Sequence, residues 1–192
     1  KFFKGKKCET ERGLFTVHKM DNKVYFELPL SLMGRDMLLG STIAEISDNS
    51  FGCVGEKPHT PLHIQFTKKD SVVSLRYVSI GYITEDKNIQ DRLDVSFVPA
   101  ILRNFEVKTY NEDSTAVVID MTDYLLSDDR TIDPFSPYAP ILGYDGNLSR
   151  DFKKDNSQFE KVKAFSDNVS VQTTLSYTVS VSNSRGYYVY NM

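Results

Sequence analysis

Apolar and polar residues alternate with a period of two along much of the chain, the signature of half-buried strands. Val24, Phe26 and Leu28 alternate with Lys23, Tyr25 and Glu27, and residues 14–19 precede them as a partner strand. Between the two lies Met20-Asp21-Asn22, which tolerates a tight turn, so a hairpin is predicted. Pro29 cannot donate to a ladder and ends that strand; beyond the turn at residues 30–34, residues 37–46 read as a third strand. The alternation returns where Leu62, Ile64 and Phe66 interleave with His63, Gln65 and Thr67, and residues 68–71 turn the chain into a strand over 72–80. A third hairpin joins residues 105–110 to 115–121 through the polar turn Asn111-Glu112-Asp113-Ser114.

Helical signal is confined to residues 99–104, where Pro99 suits a first turn, and 122–126, where Thr or Asp could cap. Residues 47–61 carry loop chemistry, as do residues 127–149 with Pro134, Pro137, Pro140, Gly143 and Gly146. Residues 159–165 and 169–181 then read as extended strands, and 187–190 as the last. Repeated hairpins without a βαβ rhythm predict a mainly β (β-rich α+β) fold, its antiparallel hairpins forming a sandwich or a strongly curved sheet with one or two short helices. The chain is expected to be one β-rich domain over 1–192, or a hairpin core over 1–126 joined by the 127–149 loop to a strand segment over 150–192.

Composition narrows the function classes. Forty per cent of residues are apolar and the formal charge is only −3, a balance that favours a folded core over disorder. With 26 acidic against 23 basic side chains there is no electrostatic reason to expect a nucleic-acid partner. No run approaches the roughly 20 apolar residues of a membrane-crossing helix, so no transmembrane segment is expected. The chain lacks an initiator Met and a charged-then-apolar leader, a start that a removed signal peptide and an excised domain would both leave; a fragment of a larger chain is the expectation carried forward.

Candidate chemistry is sparse. None of His18, His59 and His63 is followed by Glu, so the His-Glu-x-x-His zinc helix is missing, and Pro61 lies between His59 and His63. Asp145, Asn147, Ser149 and Asp151 place oxygens at every second position, as calcium loops do, but Arg150 and Asn156 stand where an EF-hand needs Gly and Glu; an Asx-rich turn is the plainer reading. Cys8 and Cys53 are compatible with one disulfide or two free thiols. Asp120, Asp123, Asp128, Asp129 and Asp133 are carboxylates from which a hydrolase could draw an acid and base pair. Tyr138, Tyr144, Tyr187, Tyr188 and Tyr190 are candidates for a binding face. No catalytic or cofactor-binding residue is assigned.

Several stretches carry a family likeness: Gly13-Leu-Phe-Thr-Val-His-Lys, Val24-Tyr-Phe-Glu-Leu-Pro, Ser31-Leu-Met-Gly-Arg-Asp-Met-Leu-Leu, Asp113-Ser-Thr-Ala-Val-Val-Ile-Asp-Met-Thr-Asp and Phe159-Glu-Lys-Val-Lys-Ala-Phe. Together they resemble the N-terminal, non-catalytic region of the large zinc-dependent metalloproteases of the bacterial cell envelope, a region filed under domains of unknown function. Its best-defined motif is the Leu-x-Gly-Arg-Asp turn, here Leu32 to Asp36. The resemblance implies an exported protein of the periplasm or cell surface of a Gram-negative bacterium. It also implies zinc in a downstream catalytic domain of the same chain, with no cofactor in this part and that domain as its partner. The expected role is accessory, supporting folding or cleft shape of the catalytic domain. The alternatives from other classes are a sugar- or peptide-binding β module of the cell envelope and a self-standing hydrolase using loop carboxylates.

Overall fold

The computed structural model describes residues 2–3, 5, 7–79, 84–136, 141, 147–183 and 186–192. Strands hold 46% of the chain and helices 12%, which makes the fold mainly β as expected. The chain opens with β1 (Glu9–Arg12), β2 (Thr16–Met20) and β3 (Lys23–Pro29), and after a 3-10 turn at Leu30–Leu32 forms the short β4 (Met37–Leu39). Next come β5 (Leu62–Lys69), β6 (Val72–Tyr77), helix α1 (Lys87–Ser96), β7 (Ala100–Tyr110), β8 (Ala116–Asp120) and the single-turn helix α2 (Thr122–Leu125). The last third holds β9 (Asn147–Phe152), β10 (Gln158–Ala164), β11 (Val169–Thr174), β12 (Tyr177–Asn183) and β13 (Gly186–Asn191).

Eight strands form one strongly curled antiparallel sheet in the order β1-β2-β3-β8-β7-β6-β5-β4. Bulges interrupt its registers between Leu75 and Arg76 and between Val107 and Thr109, and a bulge bends its strand and raises the local twist. The three predicted hairpins form, each turning through a left-handed residue: Asp21, Asp70 and Ser114, at φ of 49°, 51° and 60°. Short polar side chains bear that conformation at small cost.

Two compact units divide the chain, with the boundary inside β3. One comprises Phe26–Leu39 and Pro61–Asp120. Here Ile64 and Phe66 of β5, Val73 and Leu75 of β6 and Phe105 of β7 are buried, and β8 is buried on both faces from Ala116 to Ile119. The other comprises Lys1–Tyr25, Gly40–Thr60 and Met121–Met192. It contains the β10–β11 pair and a three-stranded sheet in the order β13-β12-β9. Phe51, Phe135, Tyr177, Val179 and Val181 form a core beneath that three-stranded sheet. Asn22 ties the start of this unit to its end: its amide donates to Ser157 O at 3.0 Å and its side-chain oxygen accepts from Phe159 N at 2.9 Å, imitating a strand partner.

Four expectations are corrected. Residues 99–104 are not a helix but the start of β7, because Ala100 and Ile101 pair with Tyr77 and Arg76. The longer helix is α1, whose N-terminus is closed by Asp86 accepting from Asn88 N and Ile89 N; none of its residues is buried, so no apolar stripe announces it. The strand expected over 37–46 stops at Leu39, since Ile43 instead exchanges backbone bonds with Glu56 and Gly55 across a loop. The single strand expected over 169–181 is two: β11 pairs with β10, while β12 pairs with β9 and β13. The break falls at Ser176, which hydrogen-bonds Ser157 and Lys153 instead of continuing a ladder.

Candidate functional site

A cluster of charged side chains gathers on the inner face of β9. Leu148 and Phe152 face the core, and period-two geometry forces Arg150 to the same side. Its guanidinium lies 5.2 Å from the centroid of the Phe135 ring. Arg150 Nε donates to Asp128 at 3.0 Å and Nη2 donates to Asp133 at 2.9 Å. Asp133, only 1% exposed, also accepts from His59 Nε2 at 3.1 Å and from Phe135 N at 2.9 Å. Burial alone would loosen the Arg150 proton, but the bonds and charges of Asp133 and Asp128 outweigh it and hold the guanidinium more firmly charged than usual. The Tyr177 hydroxyl makes no well-formed hydrogen bond among the described residues, yet lies near enough to feel the cluster. Burial first, and then the Asp128 charge, push its ionisation well above the ordinary tyrosine range.

Chemically this cluster is organised around the Arg150 cation. Both oxygens of Asp133 are engaged, and Asp129 is committed to the Thr131 amide and hydroxyl. Asp123 pairs with Lys154 at the surface. Asp128 and Asp133 do come together, but around a cation that neutralises them rather than on either side of a cleft. The histidines are equally committed: His18 shares a hydrogen bond with Thr10 and stacks on Phe3, while His59 serves Asp133. Among the described residues no three or more His, Cys, Asp or Glu are grouped to hold a metal ion. Cys8 and Cys53 are free thiols.

In the other unit, the Leu32 to Asp36 motif is a pinned turn. Gly34, at φ +76°, donates its N–H to Phe66 O at 2.7 Å. Asp36 accepts from both His63 Nε2 and Gln65 Nε2 at 2.8 Å, side chains that share a face of β5. Those bonds, Gln65 first and His63 next, hold the Asp36 carboxyl below its ordinary range.

Of the remaining candidates, Asn147, Ser149, Asp151 and Tyr187 lie on the outer face of the three-stranded sheet. Asn147, Ser149 and Asp151 lie on β9 as exposed strand positions, not on a loop or an Asx turn, because the alternation that resembled calcium ligands is strand alternation. Registers set Asn147 beside Ser182 and Tyr187, Ser149 beside Ser180 and Val189, and Asp151 beside Thr178 and Asn191. Asp151 pairs with Lys153. The three terminal tyrosines do not form one row: Tyr187 stands on this face at 68% exposure, Tyr188 takes the opposite side, and Tyr190 packs edge-on against Phe51. Asp145, Tyr138 and Tyr144 lie outside the described residues.

Sequence reasoning missed Arg150, which counted only as a misfit in a calcium loop. The signal was the apolar frame Leu148-x-Arg150-x-Phe152, which marks an inward arginine once β9 is read as a strand.

Residues 55–192 match the family model described as a domain of unknown function, DUF5117, and residues 1–46 match a second, DUF5118. No curated protein and no solved structure matches the chain. No helix among the described residues is long and apolar enough to cross a membrane.

Proposed function

We propose that this chain, which belongs to the domain-of-unknown-function family DUF5117, is a non-catalytic module beside the catalytic domain of an exported, Gram-negative zinc metallopeptidase. Its role is to support the folding of that domain or to shape its cleft. The likeness of the Gly13, Val24, Ser31, Asp113 and Phe159 segments to the N-terminal region of such enzymes supports the reading. The observation that carries it is the cluster around Arg150, whose cation is paired with Asp128 and Asp133 beside the Phe135 ring while Asp133 also accepts from His59, an arrangement suited to fastening a scaffold.

The test compares the full-length parent with a form lacking residues 1–192, alongside residues 1–192 alone. Peptidase activity and one equivalent of zinc are expected in the parent, a reduced yield of folded peptidase in the truncated form, and neither zinc nor peptidase activity in residues 1–192. Stoichiometric zinc or peptide hydrolysis by residues 1–192 would overturn the proposal, as would a parent devoid of peptidase activity.

A further inference from the structure

We infer that the open edge of β13 pairs antiparallel with the β13 of a second copy, joining two three-stranded sheets into one. Among the described residues no strand lies beyond β13. Tyr177 N donates to Met192 O at 2.9 Å and Met192 N to Tyr177 O at 2.8 Å, so that pair exchanges both ladder bonds. Bonded and non-bonded pairs alternate in an antiparallel ladder, and the unbroken register makes Val179–Tyr190 and Val181–Tyr188 the next bonded pairs. The N–H and C=O groups of Tyr187, Val189 and Asn191 therefore point away from β12, a row of backbone donors and acceptors that templates a further strand. Edge strands β1, β9 and β4 are blunted: β1 has Glu9, Glu11 and Arg12, β9 has Arg150 and Asp151, and β4 is only three residues long. β13 has none of these devices.

Symmetry and charge select a second copy. The outward residues are centred on Val189, so a two-fold axis there sets Val189 against its own copy and Tyr187 against Asn191, each pair exchanging both backbone bonds. On the opposite side the same register brings Tyr188 beside Tyr190 of the second copy, an aromatic pair at the closer, non-bonded spacing. A residue on the axis meets itself, where a charge would repel. Val189 is neutral, and neither β12 nor β13 contains a charged side chain. Self-pairing also closes both open edges at once, whereas a lone added peptide would leave a new one. With Tyr187, Tyr188 and Val189 at 68%, 42% and 56% exposure, the strand can bury on the order of 400 Å² per copy. That area places the contact among weak, reversible interfaces below about 1,200 Å² in total. The inference goes beyond the peptidase reading, and either can fail alone.

Sedimentation equilibrium of the intact protein from about 5 μM to about 1 mM should show a reversible monomer–dimer equilibrium with Kd of about 10–500 μM. Over the same range, hydrogen exchange at the Tyr187, Val189 and Asn191 amides should slow as concentration rises. Val189→Lys should weaken the dimer about tenfold or more. Val189→Pro should abolish it, and because the Val189 N–H faces away from β12 the substitution removes no bond of that ladder. Leu38→Lys, at an exposed position on β4, should leave Kd unchanged. Circular dichroism of each variant checks that the fold survives. A protein monomeric throughout overturns the inference and leaves the edge to a different chain. Dimerisation indifferent to both Val189 variants, or without slowed exchange at these amides, overturns it as well.

Discussion

Arg150 takes its charge against an aromatic ring because Asp128 and Asp133 meet it there, and that makes it sensitive to substitution. Arg150→Met would leave the buried Asp133 carboxylate without its cation, and breaking a buried pair from one side costs about 3–5 kcal/mol. Urea denaturation should show a loss of that size, far above the effect of removing the surface cation in Lys154→Met. Tyr177 tests the same cluster through pH. Its folded-state pKa lies above the ordinary 10.0, so its contribution to stability is intact below pH 10.0 and is lost as pH rises beyond it, where the unfolded chain ionises first. Tyr177→Phe should therefore keep neutral-pH stability, since no well-formed hydrogen bond is removed, and show a shallower fall in stability above pH 10. An equal alkaline slope in both proteins would refute the assignment.

At the scale of elements, two glycines look alike in the sequence and act for different reasons. Gly13 sits where an added Cβ would lie 2.3 Å from Phe165 O, and its neighbour Leu14 donates to that oxygen. Gly34 has open space around it but a backbone at φ +76°. Gly13→Ala should cost about 1–3 kcal/mol by overpacking, and Gly34→Ala about 1–2 kcal/mol by backbone strain. Asn, which tolerates a left-handed backbone, should recover most of the loss at position 34 and none at 13; thermal melts of the four variants decide it. Elements were foreseen where period-two alternation and a turn residue coincided, as at Asp21, Asp70 and the 111–114 turn. They were missed where burial does not write a pattern. Helix α1 buries nothing, β1 is almost wholly exposed, and the alternation of β9 is filled with polar residues that imitate ligands. The site was harder still. Asp133 and His59 meet across 74 residues, and no local spacing encodes such a meeting.

For the whole molecule, the chain order of the two units matters more than their composition. Unit boundaries nest one stretch of sequence inside another: Phe26–Leu39 and Pro61–Asp120 form a unit whose neighbours on either side in the chain belong to the other. A truncation after Asp120 would retain every residue of the nested unit and remove the three-stranded sheet of the other, so the test of accessory function needs the complete chain. Asn22 shows what this nesting means in time. Its two backbone partners, Ser157 and Phe159, lie 135 and 137 residues later. At roughly 5–20 residues per second of synthesis, the opening hairpin waits roughly 7–30 s for the strand that completes it, an interval in which a chaperone or a translocation channel would meet it still unsatisfied.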